Sequence, residues 1–489
     1  DDQPIRRRLA QEVGAIEKQA PFTIALCYPS PYHTGMSSLG YQQLYRSIQG
    51  LEAMACERVF LPDEHRAAEI APVSYEGRRP LRDFPVLAFS VAYELELAGL
   101  VCMLESSGIA SLRELRSAGD PFILCGGPLT FSNPLPLAAF ADAIVMGEAE
   151  DLIEPVLQIV REFGADRARL LTELAALPHV FVPELHGDAM PPIARAADAV
   201  LPAVSQIRTP DTELSNMLLI ETERGCSRRC TYCVMRRSTN GGMRIVPKER
   251  ILELIPDDVT RVGLVGAAVS DHPKIAEIVR SLAAQGKDVG LSSLRPDRLS
   301  DDFVGALAEA GYRTLTTAMD GPSERLREML ERKARIKHLE RAASLARAHG
   351  MKRLKLYLMI GLPTETDADI DECVTFIGEL SKVVPIALGI APFCAKRNTP
   401  LDGQPFAGVK PVEGRLDRLR RGLRGRADVR STSAKWAWVE YVLAQGRDPE
   451  GRAGREAALT AGYLAAYTKG HAPFEQTAAP HRRLAIPPH

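Results

Sequence analysis

The chain has 489 residues, and its 61 Lys and Arg nearly cancel 62 Asp and Glu. That balance excludes a nucleic-acid coat or an acidic-substrate funnel as a property of the whole molecule, and the length predicts two to four domains of about 100–200 residues each. No run of about 18 uncharged apolar residues occurs, since the stretch 85–104 is broken by Glu94 and Glu96. No membrane span is therefore expected, and with no apolar signal core at the start the expectation is a cytoplasmic protein.

In chain order, short apolar runs at 22–27, 58–61, 86–90, 122–125 and 143–146 read as buried strands. Helical periodicities at 37–49, 94–106 and 150–161 separate several of them. Strands alternating with helices predict a doubly wound, flavodoxin- or Rossmann-like parallel sheet over residues 1–163, with ligands beyond the carboxyl ends of its strands. The residues at those ends are Met36 and Ser37 after the first strand, Ser90 after the third, Gly126 and Gly127 after the fourth, and Gly147 and Glu148 after the fifth. Glycines there let backbone approach a bulky planar ligand or a phosphate, although Gly-Gly-Pro is also an ordinary loop.

Six prolines between 178 and 210, with little periodicity, mark 164–215 as a linker. From 216 to 400 regular alternation returns, with strands at 217–223, 261–265, 288–294, 314–318, 353–359 and 386–392. Six βα units predict a partial TIM-like barrel, with its site at the carboxyl ends of the strands. Residues 401–489 read as mostly helical. Arginines between 415 and 430 suit a solvated helix face better than an RNA surface, and the Trp436–Trp438 segment suits packing against the barrel.

Directly after the first barrel strand comes Glu223-Arg-Gly-Cys226-Ser-Arg-Arg-Cys230-Thr-Tyr232-Cys233. Three thiolates within eight residues can hold one inorganic cluster. Ordinary iron–sulfur and zinc sites take four protein ligands, so a triplet without a fourth cysteine suggests a [4Fe–4S] cluster with one iron open. A loop of reduced thiols, or zinc completed by a distant His, is the alternative. The other six cysteines, Cys27, Cys56, Cys102, Cys125, Cys373 and Cys394, stand singly among apolar neighbours and read as reduced core residues.

This CxxxCxxC loop resembles the signature of the radical SAM superfamily. The resemblance implies S-adenosylmethionine on the open iron, reductive cleavage to a 5′-deoxyadenosyl radical, and an electron donor such as flavodoxin or ferredoxin. It makes Cys226, Cys230 and Cys233 the cluster ligands and catalytic centre. Tyr232, Ser292, Arg295, Asp320 and Gly361 become contacts to adenosylmethionine. The second strand, Arg261-Val-Gly263-Leu-Val-Gly266, lacks the Gly-Gly-Glu of many relatives, so the methionine amine must be met otherwise.

Residues 22–161 are similar to the cobalamin-binding domain fused ahead of many such enzymes, though without the DxHxxG motif that supplies a histidine to cobalt. Asp63-Glu-His65 is the nearest approach and lacks the glycine. That likeness implies cobalamin at the strand ends named above and methyl transfer from methylcobalamin to an unactivated carbon of a small-molecule or natural-product substrate. The alternatives are a non-methylating rearrangement or cyclisation, an RNA-modifying methylthiotransferase-like enzyme, and a non-catalytic corrinoid protein.

Overall fold

The structure is a computed structural model. It describes residues 3–62, 70–235, 242–291 and 294–469, without the side chains of 460–469.

The first sheet contains β1 (Phe22–Tyr28), β2 (Met54–Phe60), β3 (Val86–Ser90), β4 (Phe122–Gly126), β5 (Ala143–Val145) and β6 (Val180–Phe181), in the order β2-β1-β3-β4-β5-β6. The first five run parallel, and β6 pairs antiparallel with β5. The order 2-1-3-4-5 is flavodoxin-like and reverses direction between β1 and β3. Both faces are covered: Ala25, Cys27, Leu87 and Phe89 enter one core, while Ile24, Leu26, Val86 and Ala88 enter the other. Burial on both sides is why these strands read as nearly continuous apolar runs.

β2 begins four residues earlier than its sequence signal. Arg58 is fully buried there, bonded by Nη1 and Nη2 to Glu12 (both 2.7 Å) and by Nε to Glu76 (2.6 Å). The stretch read as a linker carries the helices Arg167–Ala175 and Pro183–His186 as well as β6. Its two-residue strand is too short to leave a periodic pattern.

The second half holds β7 (Leu218–Glu221), β8 (Glu223–Gly225), β9 (Met243–Ile245), β10 (Arg261–Val265), β11 (Asp288–Leu291), β12 (Thr314–Asp320), β13 (Arg353–Ile360), β14 (Ile386–Pro392) and β15 (Ala427–Ser431). Two parallel sheets, β11-β10-β7 and β12-β13-β14-β15, share one core with the helices outside them, an open barrel. β15 is an added strand inside the region expected to be mostly helical. Its sequence, Ala-Asp-Val-Arg-Ser, carries no apolar run because Asp428 and Arg430 face solvent.

The C-terminal helices Ala434–Gln445 and Asp448–Lys469 return to the first domain: Val439, Val442, Leu443, Ala453 and Ala457 belong to its core. At their junction Asn133 Nδ2 donates to the carbonyls of Leu443, Ala444 and Gly446 at 3.3, 3.0 and 2.7 Å. Trp436 and Trp438 therefore pack on the first domain, a correction to the expected packing against the barrel. Among the described residues no helix is long and apolar enough to cross a membrane.

Candidate functional site at the facing strand ends

The cysteine loop leaves a short antiparallel hairpin, β8 with β9, in which Arg224 stands directly opposite Arg244. Gly225 has φ of +99°, a left-handed turn that releases the chain into the loop. Cys230 is buried, and Cys226 and Cys233 are half-buried. The loop is pinned from below: Thr231 N–H donates to Leu330 O (3.1 Å), Ser227 Oγ to Asp271 (2.9 Å), and Leu401 N–H to Thr231 O (3.2 Å). Arg228 pairs with Asp297, and Arg295 with both Asp271 and Asp297, tying the loop to the ends of β10 and β11.

Burial raises all three thiols, Cys233 to about 11. The Arg332 guanidinium opposes that rise at Cys226 and Cys230, and Arg228 opposes it at Cys226. Each of these thiols is protonated when nothing is bound, and a bound metal centre must displace the protons. Among the described residues no three His, Cys, Asp or Glu are grouped to hold a single metal ion. A cubane takes one thiolate at each of three corners, so its ligands need not meet at a point.

Four buried side-chain atoms without a hydrogen-bond partner lie around this loop: Asp271 Oδ1, Arg295 Nε, Asp320 Oδ2 and Arg332 Nε. Asp320 and Arg332 touch as an ion pair without hydrogen-bond alignment. Asp320 also sits at φ +62° on an irregular end of β12, where pairing with β13 shifts register. Asp271 Oδ1 likewise stands 3.6 Å from Arg298 Nε, so Arg295 Nε is the atom of the four with neither a hydrogen bond nor an ion-pair partner, and a buried guanidinium donor left open beside three thiols fits a polar group bound there. Burial holds the Asp320 carboxyl above the usual range, opposed by Arg332 and by a hydrogen bond from Tyr232.

Two cavities adjoin each other, sharing Met359, Ala391 and Thr432. One, about 650 Å³, runs along the inner face of β12–β15 past Asp320, Lys355, Tyr357 and Arg430. The other, about 690 Å³, lies between the halves of the chain: Tyr93 and Leu95 follow β3, while Tyr232 and Cys233 come from the cysteine loop. Pro392–Cys394 and Trp436 complete its wall. The carboxyl ends of the two parallel systems face each other across it.

Tyr232 and Cys233 thus reach the cavity, and Asp320 and Arg295 flank the loop. Gly361 does not line either cavity; its N–H donates to Glu365 (2.8 Å) in a turn at φ +76° backed by Val412. Ser292 lies outside the described residues, as does His65.

The strand-end residues of the first domain do not converge. Ser90, Gly126 and Gly127 border a void of about 30 Å³, roughly the room of one water. Gly127 has φ of +103°, and a Cβ there would lie 2.7 Å from Val91 O, so glycine serves close packing. Gly147, at φ +85°, is covered by Ala194 in the same way. Met36 is buried with Sδ 3.5 Å from Arg58, and Ser37 Oγ donates to His33 O (2.6 Å). Glu148 accepts from Ala196 N–H (2.8 Å), Arg224 (3.2 Å) and Arg244 (2.6 Å), tying the first domain to the hairpin that carries the cysteine loop.

Sequence reading missed Arg332, Asp271 and Lys396, which lie far along the chain from the loop or cavity they serve. Cys394, read as a core residue, is half-buried and lines the interdomain cavity. Of the 415–430 arginines, Arg415 pairs with Glu365 (2.9 Å) and Arg418 with Asp371 (2.6 Å), an ion-paired helix face.

Residues 40–183 match the family described as radical SAM proteins, N-terminal, and residues 220–377 match the radical SAM superfamily. The chain belongs to the radical SAM superfamily. Membership in this superfamily implies a [4Fe–4S] cluster and S-adenosylmethionine, for which the three thiols and the buried charged groups around them are a fitting donor set.

Among relatives, this radical SAM protein is 25% identical over 395 residues to an uncharacterised protein of Methanocaldococcus jannaschii, covering 78% of this chain and 80% of that one. It is 28% identical over 173 residues to the tRNA-2-methylthio-N(6)-dimethylallyladenosine synthase of Thermus thermophilus, covering 32% of this chain and 37% of that one. It is 26% identical over 275 residues to the ribosomal protein uS12 methylthiotransferase RimO of Trichlorobacter lovleyi, covering 51% of this chain and 59% of that one. Among solved structures, the cobalamin-dependent S-adenosylmethionine radical enzyme OxsB, with aqua-cobalamin and S-adenosylmethionine bound, superposes with a TM-score of 0.51 at 12% identity. That match covers 83% of this chain and 56% of OxsB, and it supports the shared fold alone.

Proposed function

We propose that this radical SAM enzyme acts on a substrate in the interdomain cavity, transferring a methyl group from a corrinoid held against the first domain to an unactivated carbon. The observation that carries the reading is the facing of the two sets of strand ends, with Cys233 on one wall and Tyr93 and Leu95 on the other. When bound, the cluster and adenosylmethionine supply the electron and the hydrogen-abstracting fragment, and the corrinoid supplies the methyl group.

The chain's own residues hold and shield these parts. Cys226, Cys230 and Cys233 lose their protons to bind iron, and Arg228 and Arg332 offset the resulting negative charge. Asp271 and Arg295, the latter with a buried Nε left without a partner, suit the ammonium and carboxylate of the methionine end. Asp271 follows the second barrel strand, whose sequence lacks the expected acid. Tyr232, Phe393 and Trp436 keep water from the reacting centre.

Among the described residues lining the cavity there is no histidine. The void of about 30 Å³ between the first-domain strands suits no part of a corrin ring, so a corrinoid would have to lie on the side of the interdomain cavity, against Tyr93 and Leu95. Sulfur insertion into RNA or protein is the second reading, favoured by the names of the methylthiotransferase relatives. Against it, the four first-domain cysteines are each buried in a core and form no second cluster-binding set among the described residues.

Protein reconstituted without oxygen and titrated with hydroxocobalamin tests the methyl-transfer reading. About one corrinoid per chain, co-eluting on gel filtration, is expected. A protein that retains none overturns methyl transfer and leaves radical generation standing.

A further inference from the structure

The interdomain cavity has one polar end. Lys396 Nζ stands there 2.7 Å from Glu94 Oε2 and 2.7 Å from Glu440 Oε1, one ammonium shared by two carboxylates. Glu94 comes from the first domain and is 3% exposed at its side chain, while Glu440 and Lys396 remain 28% and 21% exposed toward the cavity. Burial raises the Glu94 carboxyl, Lys396 opposes the rise, and Glu440 adds repulsion. Two carboxylates thus share one ammonium, an excess of acidic over basic side chains at this end of the cavity. Around it stand Tyr93, Tyr232, Phe393 and Trp436.

Aromatic faces combined with an excess carboxylate are the recognition chemistry of an organic cation. Among the described lining residues Lys396 is the one cation, and it is already doubly paired, so no arginine fork among them offers a phosphate site.

We propose that this cavity binds a small organic ammonium with an apolar or aromatic body as the substrate, the amine pairing with Glu440 and the body lying against the aromatic wall beside Cys233. The inference rests on the radical SAM reading and names the substrate class of that site. A cation there gives the two carboxylates a second basic partner, whereas a phosphodiester or carboxylate adds a further acid.

The test uses reconstituted holoprotein carrying Trp438→Phe, so that fluorescence reports Trp436. It is titrated with 4-phenylbutylamine and, separately, with 4-phenylbutyrate. The amine is expected to bind about tenfold or more tightly than the acid. Glu440→Gln should erase that preference, whereas Lys396→Met, which removes the competing cation, should strengthen amine binding; a folding defect would weaken both. The proposal is overturned by equal binding of the two probes, by no binding, or by displacement of the amine by adenosylmethionine or by a single-stranded RNA. Cleavage of adenosylmethionine without added substrate is measured on the same preparation. Its loss would count against the radical SAM reading, and its presence alongside failed amine selectivity would count against this proposal alone.

Discussion

Replacing Glu148 separates a clamp from a cofactor contact. The side chain is 6% exposed and answers two arginines, Arg224 and Arg244, which face each other across the β8–β9 hairpin. Like charges directly opposite in an antiparallel pair destabilise it. Glu148→Ala removes the shared counter-charge and the acceptor for Ala196 N–H. Breaking a buried ion pair by removing one partner costs about 3–5 kcal/mol. Arg224 keeps Glu150 and Glu221 at 2.7 Å, while Arg244 keeps the Ala196 carbonyl at 2.8 Å and the exposed Asp198 at 3.2 Å. The lower end, about 3 kcal/mol, therefore applies.

The hairpin frames the cysteine loop, so the cost appears as local opening. Hydrogen exchange followed by mass spectrometry should show amides of 223–225 and 243–245 exchanging about 100-fold faster, at 1.4 kcal/mol per decade. Glu148→Gln, which keeps an acceptor but not the charge, should give about half that effect in free energy. Exchange unchanged in both variants, with corrinoid or adenosylmethionine binding lost instead, would refute the clamp and restore Glu148 as a cofactor contact.

Two further outcomes follow. Burial raises Glu96 and Glu223 to about 7 each. The native state therefore holds protons that the unfolded chain has lost, and stability falls as pH rises from about 4.5 to about 7, by about 3 kcal/mol per group, then levels. Urea midpoints measured across that range should decline, and Glu96→Gln with Glu223→Gln should flatten the curve; a flat wild-type curve would contradict it. Gly127→Ala should destabilise by about 1–3 kcal/mol from backbone strain alone, more with the Val91 clash. Calorimetry should show a lower unfolding temperature; unchanged stability with lost ligand binding would make Gly127 a ligand contact.

What the sequence made legible follows from where each signal lives. β1, β3 and β4 are buried on both faces, so their apolar runs announce them, and the cysteine spacing is local chemistry within eight residues. β15 was hidden because its exposed residues are charged. Glu148 was visible as an acid at a strand end, but its arginine partners lie 76 and 96 residues away, so its tie between domains left no local signal. Lys396 meets Glu94 across 302 residues, and only the fold brings them to one cavity. Gly127 and Gly147, after β4 and β5, lie against Val91 and Ala194, a close backbone approach that no sequence run announces.

The central claim is that Cys226, Cys230 and Cys233 hold an iron–sulfur centre that cleaves adenosylmethionine. The direct measurement is product analysis of anaerobically reconstituted, dithionite-reduced protein incubated with S-adenosylmethionine. The account predicts 5′-deoxyadenosine and methionine in equal amounts, and neither above background from Cys230→Ala. Recovery of intact adenosylmethionine from protein that carries its full iron and sulfide and binds the cofactor would contradict it.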